Sequence, residues 1–364
     1  MKYVLILALF FAICAYLLLI VKRFVSLFVK PEEGKLRKAL FVFLCLAVIV
    51  ALVAFIPASL PFFMYEALIS LCCEPFYVLF SKKRHSALLK KSAAVPVIGS
   101  LIITIIGFFM MTSFVKTEYT VTTDKLAGGE QIRLLFIADL HYGNAMHGKH
   151  IKKLVEVWNT EHYDAVIIGG DLVDESSSAA EIREVISALG KLQTEYGVFF
   201  IYGNHESIGG MTDEGGRKGK VSSEELLALF QDAGIAVLSD ETALVGERIK
   251  LYGRRDSSMQ REKLENLVWL SDPQKYVLIA DHQPTDFHAA AACGADMIVS
   301  GHTHAGQFWP IGLIHEPLGF NDLVYGKRQF GSMTAIVSSG LSGWYAPVRT
   351  EGRSEYVVIT IKGQ

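Results

Sequence analysis

Cysteine is scarce where a folded domain would use it. Of 5 cysteines in 364 residues, Cys14, Cys45, Cys72 and Cys73 fall in apolar runs near the start, and only Cys293 lies beyond residue 115. One thiol excludes an internal disulfide from residues 116–364, and it excludes a cysteine-built zinc site there. Positive charge is also short in that stretch. It holds 23 Lys and Arg against 33 Asp and Glu, a balance that argues against an electrostatic grip on nucleic acid. Internal repeats, low-complexity tracts and glycine loops in a nucleotide-cradling context are missing too. Apolar residues are not. The chain is 51% hydrophobic with a mean hydropathy of +0.34, which excludes a disordered chain and a plain cytosolic enzyme alike.

The apolar excess sits in residues 1–115, where 12 Lys and Arg face only 4 Asp and Glu. Runs 3–21, 39–57 and 94–114 carry no charge and are long enough to cross a hydrocarbon core as helices. Run 61–80 is as long but contains Glu66 and Glu74. A signal peptide is the rival reading of the first run, but further spans follow and no small-residue cleavage site ends it. Eleven of the 12 basic residues lie in stretches 22–38 and 82–91. Short basic loops stay cytoplasmic, and both loops share that side only if the second and third spans each cross. The expectation is a four-helix transmembrane region, 1–115, in a plasma or inner membrane, then a domain, 116–364, outside the cytoplasm. Glu66 and Glu74 lie about 80° apart around a helix. With no basic partner in any span, they are expected to face the bundle interior or an interface rather than line an ion path.

From residue 117 short β-branched and aromatic runs alternate with amphipathic stretches. The pattern predicts strands over 132–138, 163–168, 197–202, 276–280 and 297–300, and helices over 150–158, 179–192 and 223–231. Residues 209–220 read as a surface loop. This is an α/β domain whose functional loops follow strand ends.

The residues just past each strand end are informative. The successive boxes are Asp139-Leu140-His141, Gly169-Gly170-Asp171-Leu172-Val173-Asp174, Gly203-Asn204-His205-Glu206, Asp281-His282-Gln283-Pro284, and Gly301-His302-Thr303-His304-Ala305-Gly306-Gln307. The first three recur at the length of a strand–helix repeat, which delivers their side chains to one sheet edge. Residues i and i+2 of an extended segment point the same way, so Asp139 and His141 can share an ion, and His302 and His304 repeat that spacing. Carboxylates and imidazoles without thiolate suit Mn, Fe or Zn. The ligands are too many for one ion and fit two, the usual device for in-line attack on phosphorus. Any single box has a bland reading as a turn, a cap or a core histidine. The ordered set of five does not. Asp174 is expected to orient a ligand histidine. His147, His150, His162, His288 and His315, outside the boxes, are read as surface or packing residues.

These boxes resemble the calcineurin-like metallophosphoesterase superfamily, over nearly all of 130–364. The extended final box, with Ser339-Gly340-Leu341 and Pro347-Val348-Arg349, is similar to the membrane-associated bacterial subgroup that reads GHTHGGQ, with Ala305 in place of the first paired glycine. The resemblance implies a β-sandwich flanked by helices. It implies that Asp139, His141, Asp171 and His304 hold a first divalent ion, and that Asp171 bridges to a second completed by Asn204, His282 and His302. It also implies that His205 serves catalysis beside them. The expected activity is phosphoester or pyrophosphate hydrolysis at the membrane, with lipid-linked substrates such as UDP-2,3-diacylglucosamine. The alternative is a membrane module that binds or senses a phosphate ligand with little turnover. The basic stretch Gly253-Arg254-Arg255-Asp256 is a candidate for altered substrate contacts.

Overall fold

An apolar run can satisfy its backbone groups in lipid only by forming a helix, and three such runs do so in the computed structural model. It describes residues 34–79, 94–207, 221–267 and 270–364, with 16, 18, 20 and 21 besides. Helices α1 (Lys35–Phe55), α2 (Ser59–Leu79) and α3 (Ala94–Thr112) precede the first strand. Among the described residues, Arg37–Phe55 and Ala94–Thr112 are long and apolar enough to cross a membrane. Two such helices stand where four were expected. α2, which carries Glu66 and Glu74, is not one of the two. Within it Glu66 is buried and accepts a hydrogen bond from Ser70 Oγ at 3.2 Å. The first expected span lies outside the described residues except at 16, 18, 20 and 21, which are helical. So do the basic stretch 82–91, most of 22–38 and the loop 209–220.

The chain divides into two units, Met1–Phe109 and Met110–Gln364, so the last turn of α3 counts with the second. In that unit two six-stranded sheets pack face to face. One has the order β1 (Val115–Thr123), β12 (Glu355–Gly363), β2 (Gln131–Ile137), β3 (Ala165–Ile168), β4 (Val198–Ile201), β5 (Ile235–Leu238). The other has the order β10 (Gly326–Phe330), β11 (Met333–Val337), β9 (Met297–Ser300), β8 (Tyr276–Ala280), β7 (Ile249–Gly253), β6 (Glu241–Val245). Strands β2 to β5 run parallel, as do β7, β8, β9 and β11.

Side-chain alternation sorts these strands into layers. Leu134, Phe136, Ile167 and Phe199 face inward against Leu251, Leu278, Met297 and Ile336 of the other sheet. Their neighbours Leu135, Ile137, Val166 and Phe200 face outward, under α4 (Gly148–Glu161), α5 (Ala179–Leu189) and α7 (Ser223–Asp232). On the far face Val277, Ile279 and Ile298 pack under α8 (Phe287–Ala292), with Cys293 buried among them. Each buried large side chain contributes roughly 1.5–3 kcal/mol. The short helix α6 (Asn204–Ser207) follows β4 directly, and α9 (Gly312–Leu318) follows the last histidine box. Parallel strands burying both faces end at one edge, and their loops meet there.

Candidate metal centre

The ligand loops leave the strands in a conformation that side chains rarely adopt. Asp139, His141, Asp171, His302 and His304 have φ of 54°, 40°, 49°, 71° and 51°. This corrects the expectation of an extended i, i+2 pair. Asp139 and His141 converge through a left-handed turn, and His302 and His304 are sent to different clusters. One cluster is Asp139, His141 and His304; a second is Asp171, His282 and His302; a third joins His141, Asp171 and His205. Backbone bonds fix the turns: Asp139 N donates to Gly170 O and His141 N to Asp171 O, both at 3.0 Å. His302 N donates to both Asp139 carboxylate oxygens at 2.9 and 3.0 Å. Gly170 is required where it stands, with φ 87° and with Gly203 N 2.6 Å from where a Cβ would sit.

The distal ring nitrogens determine what the proximal ones can do. His282 Nδ1 lies 2.8 Å from Gly169 O, and His304 Nδ1 lies 3.2 Å from Ser342 O. A carbonyl only accepts, so each Nδ1 carries a proton, which leaves Nε2 as the nitrogen available to a metal. Asp174 Oδ2 sits 3.3 Å from His141 Nδ1, in the orienting position expected of it, and sets the same tautomer. The Nε2 atoms of His141 and His304 then face each other at 3.3 Å. At that distance a positive charge must lie between them, either a metal ion or the proton that Asp174, Asp171 and Asp139 favour on His141. The donor set fits divalent metal.

Asp171 stands between the clusters. Its Oδ2 is 3.1 Å from His282 Nε2, 3.8 Å from His141 Nε2 and 4.0 Å from His205 Nε2. Burial pushes its carboxyl up, yet His282, His141 and His205 together hold it well below the usual range. Burial, with His282 beside it, holds His302 down at about 4, and burial lowers His304 as well. Both are therefore neutral donors at ordinary pH. Asp139 goes the other way, raised by burial against the pull of its neighbours.

His205 is placed beside the ligands rather than among them alone. Its backbone N donates to Asp171 Oδ1 at 2.9 Å, and its Nδ1 lies 2.8 Å from Glu175 Oε2. Trp344 Nε1 donates to the other oxygen of Glu175 at 3.3 Å. Asn204 opens α6 next to it.

Several further residues shape the centre in ways that residue type and order did not show. The Glu206 carboxylate is buried and accepts from Asp171 N, Val173 N and Gly203 N at 3.0, 3.1 and 2.8 Å, clamping two ligand loops. Burial and the charge of Asp171 raise its pKa to about 7. Asp281 turns away from the centre to Arg254 and Arg261, at 2.9 and 3.2 Å. Arg254 is thus buried support for the His282 loop. Arg349 is fully buried, donating to His304 O at 2.8 Å and to Ser342 O. Of the histidines outside the boxes, His150 packs on Phe114, His288 on Phe330 and His315 on Phe320.

Residues 132–306 match the calcineurin-like phosphoesterase family. That match, with the relatives below, supports a place in that superfamily of metal-dependent phosphoester hydrolases. An uncharacterized metallophosphoesterase of Helicobacter pylori is 26% identical over 70% of this chain and 66% of its own length. One from Aquifex aeolicus is 28% identical over 70% and 94%. A Danio rerio transmembrane protein with metallophosphoesterase domain is 27% identical over 64% and 53%. The chain thus spans about two thirds of the Helicobacter relative and half of the fish one. Among solved structures, a dimetal phosphatase from Danio rerio aligns with a TM-score of 0.37 and 15% identity, over 57% of this chain and 86% of that one.

Proposed function

We propose that this chain is a membrane-anchored phosphoesterase working with two divalent cations. The facing Nε2 atoms of His141 and His304, each with its far nitrogen tied back, carry this reading. Asp139, His141, Asp171 and His304 would hold one ion, and Asp171, Asn204, His282 and His302 the other, with Mn, Fe or Zn suited to the donors. Such ions supply Lewis acidity toward a phosphoryl oxygen and toward water. The chain's own residues do the rest. Asp171 keeps the two ligand groups in register, Glu206 holds its loop, and Glu175 orients the His205 ring so that Nε2 meets the substrate. There His205 is placed to hold a phosphoryl oxygen or to give a proton to the leaving oxygen.

Helices long and apolar enough to cross a bilayer in the same chain favour phosphoesters or pyrophosphates carried on lipid, of which UDP-2,3-diacylglucosamine is one. The test uses the full-length chain in detergent, stripped of metal and reloaded with Mn, Fe or Zn. The expected result is close to two ions per chain and hydrolysis of an activated phosphodiester that stops with chelator. Fewer than one ion with no hydrolysis would remove the reading. Full loading without hydrolysis would favour the binding or sensory alternative.

A further inference from the structure

Large apolar side chains at the surface of the C-terminal unit are unevenly spread. Among the described residues Val157, Tyr196, Leu227 and Leu244 occur singly on separate elements, as on any soluble surface. Trp309, Leu313, Ile314, Phe320, Tyr325 and Trp344 are different. Each is between 41% and 63% exposed; hydrogen bonds join the segments of Trp309, Leu313, Ile314 and Trp344, and Phe320 packs on His315 of α9. The Gln307 amide donates to Trp344 O, Ala346 O and Val348 O at 3.1, 3.0 and 3.2 Å, and its oxygen accepts from Trp344 N at 3.1 Å. Trp309 N donates to Thr350 Oγ1 at 3.1 Å, and Gly312 N to Glu351 Oε2 at 2.8 Å. Leu313 and Ile314 come next on α9. The Tyr325 hydroxyl donates to Glu355, which also accepts from Thr117 near the start of β1.

The same closing segment meets the end of α3. Ser354 Oγ donates to Met111 O at 2.7 Å, and Ser342 Oγ lies 4.0 Å from Met111 Sδ. Met111 is in the last turn of a helix long and apolar enough to span a bilayer, and polar β1 begins at Val115. The hydrocarbon layer therefore ends close to Met111. The segment also touches the metal centre, where Ser342 O accepts from the His304 ring at 3.2 Å, and Gly343 O accepts from Asn144 at 3.0 Å.

We infer that this aromatic and aliphatic patch is a membrane-docking surface. Its occupant is the lipid bilayer that α3 leaves. Trp and Tyr favour the headgroup layer, and apolar side chains on an amphipathic segment sink into the acyl boundary beneath it. Docked this way, the Trp344 wall of the centre stands at headgroup level, and phosphoesters reach the metal ligands from the bilayer surface. That consequence rests on the phosphoesterase reading; the docking itself does not.

The test reads no turnover, so its failure and that of the hydrolase reading are separable. Full-length protein is placed in phosphatidylcholine nanodiscs, with and without brominated acyl chains. The emission of Trp309 and Trp344 is isolated by subtracting a W309F/W344F variant. Expected is a large loss of that difference emission in brominated discs and none in plain ones. Equal emission in both, as for a patch that faces water or a second copy of the chain, overturns the inference. A Leu313→Glu, Ile314→Glu chain with both tryptophans intact should lose most of the quenching. Unchanged quenching there would overturn the part assigned to α9.

Discussion

At the scale of single residues, the centre is held in a costly state. Five of the seven expected ligands have left-handed backbones, and each such residue costs on the order of 1–2 kcal/mol, somewhat less for Asp and His. Bound cations would offset that strain and the crowding of the facing imidazoles. Two ions at about a hundred times their Kd add about 2.7 kcal/mol each, so chelation should lower Tm by roughly 10 °C or more. A scan with and without chelator checks this, and an unchanged Tm would contradict it. Asp171→Ala and His205→Ala should fail differently. Asp171 faces both ligand groups, so its loss should take metal and activity together. His205→Ala should keep its metal and lose roughly 10²–10⁴ in rate, the usual worth of a general acid or a charge-stabilising donor. Metal analysis beside kinetics separates the two, and equal metal loss would make His205 a ligand. Glu206→Gln tests the clamp. Three N–H groups converge on its carboxylate, and an amide NH2 must face at least one of them, at about 1–3 kcal/mol. Denaturant unfolding should register that loss. The candidate ligands stand out in the sequence because choosing them needs only residue type and order. Glu206 and Asp281 stood in the same boxes, but their work depends on amides and guanidiniums that chain folding brings near.

At the scale of elements, the strands that carry boxes were readable because each is a continuous apolar run ended by polar residues. Those over β2, β3, β4, β8 and β9 lie close to where the pattern put them. β1 and β12 gave no comparable signal. They pair in parallel across more than two hundred residues, and β1 alternates half-buried with exposed side chains. The turns were misjudged for a related reason. Spacing fixes side-chain direction only while the backbone stays extended, and these ligands lie just past the strand ends. The close approach of those turns makes Gly203 sensitive. A Cβ there would sit 2.1 Å from Asp171 Oδ1 and 2.4 Å from Asp171 N. Because one of the two is backbone, no rotamer relieves the contact. Gly203→Ala should therefore keep the sandwich by circular dichroism yet lose metal occupancy, and normal loading would show that the loops can yield.

At the scale of the whole molecule, two units of opposite charge share one chain, and the boundary between them falls inside α3. The first holds helices fit for lipid; the second holds a sandwich whose edge carries the candidate metal ligands. Which side of the membrane receives that edge is a matter of loop charge. Lysine and arginine resist transfer across a bilayer, and short loops rich in them remain cytoplasmic. Stretches 22–38 and 82–91 hold six and five basic residues, while the connection at 57–61 holds none. If both basic stretches stay inside, an even number of crossings lies between them, and α3 then carries the chain outward. Alkaline phosphatase fused after Gln364 should accordingly be active, since it folds only in an oxidising compartment, and a cytoplasmic fluorophore at the same point should be dark. Replacing the five basic residues at 82–91 by glutamine should weaken the preference, because that loop alone precedes α3. Phosphatase silent and fluorophore bright in the unaltered chain would place the metal centre in the cytoplasm, facing lipid phosphoesters of the inner leaflet instead.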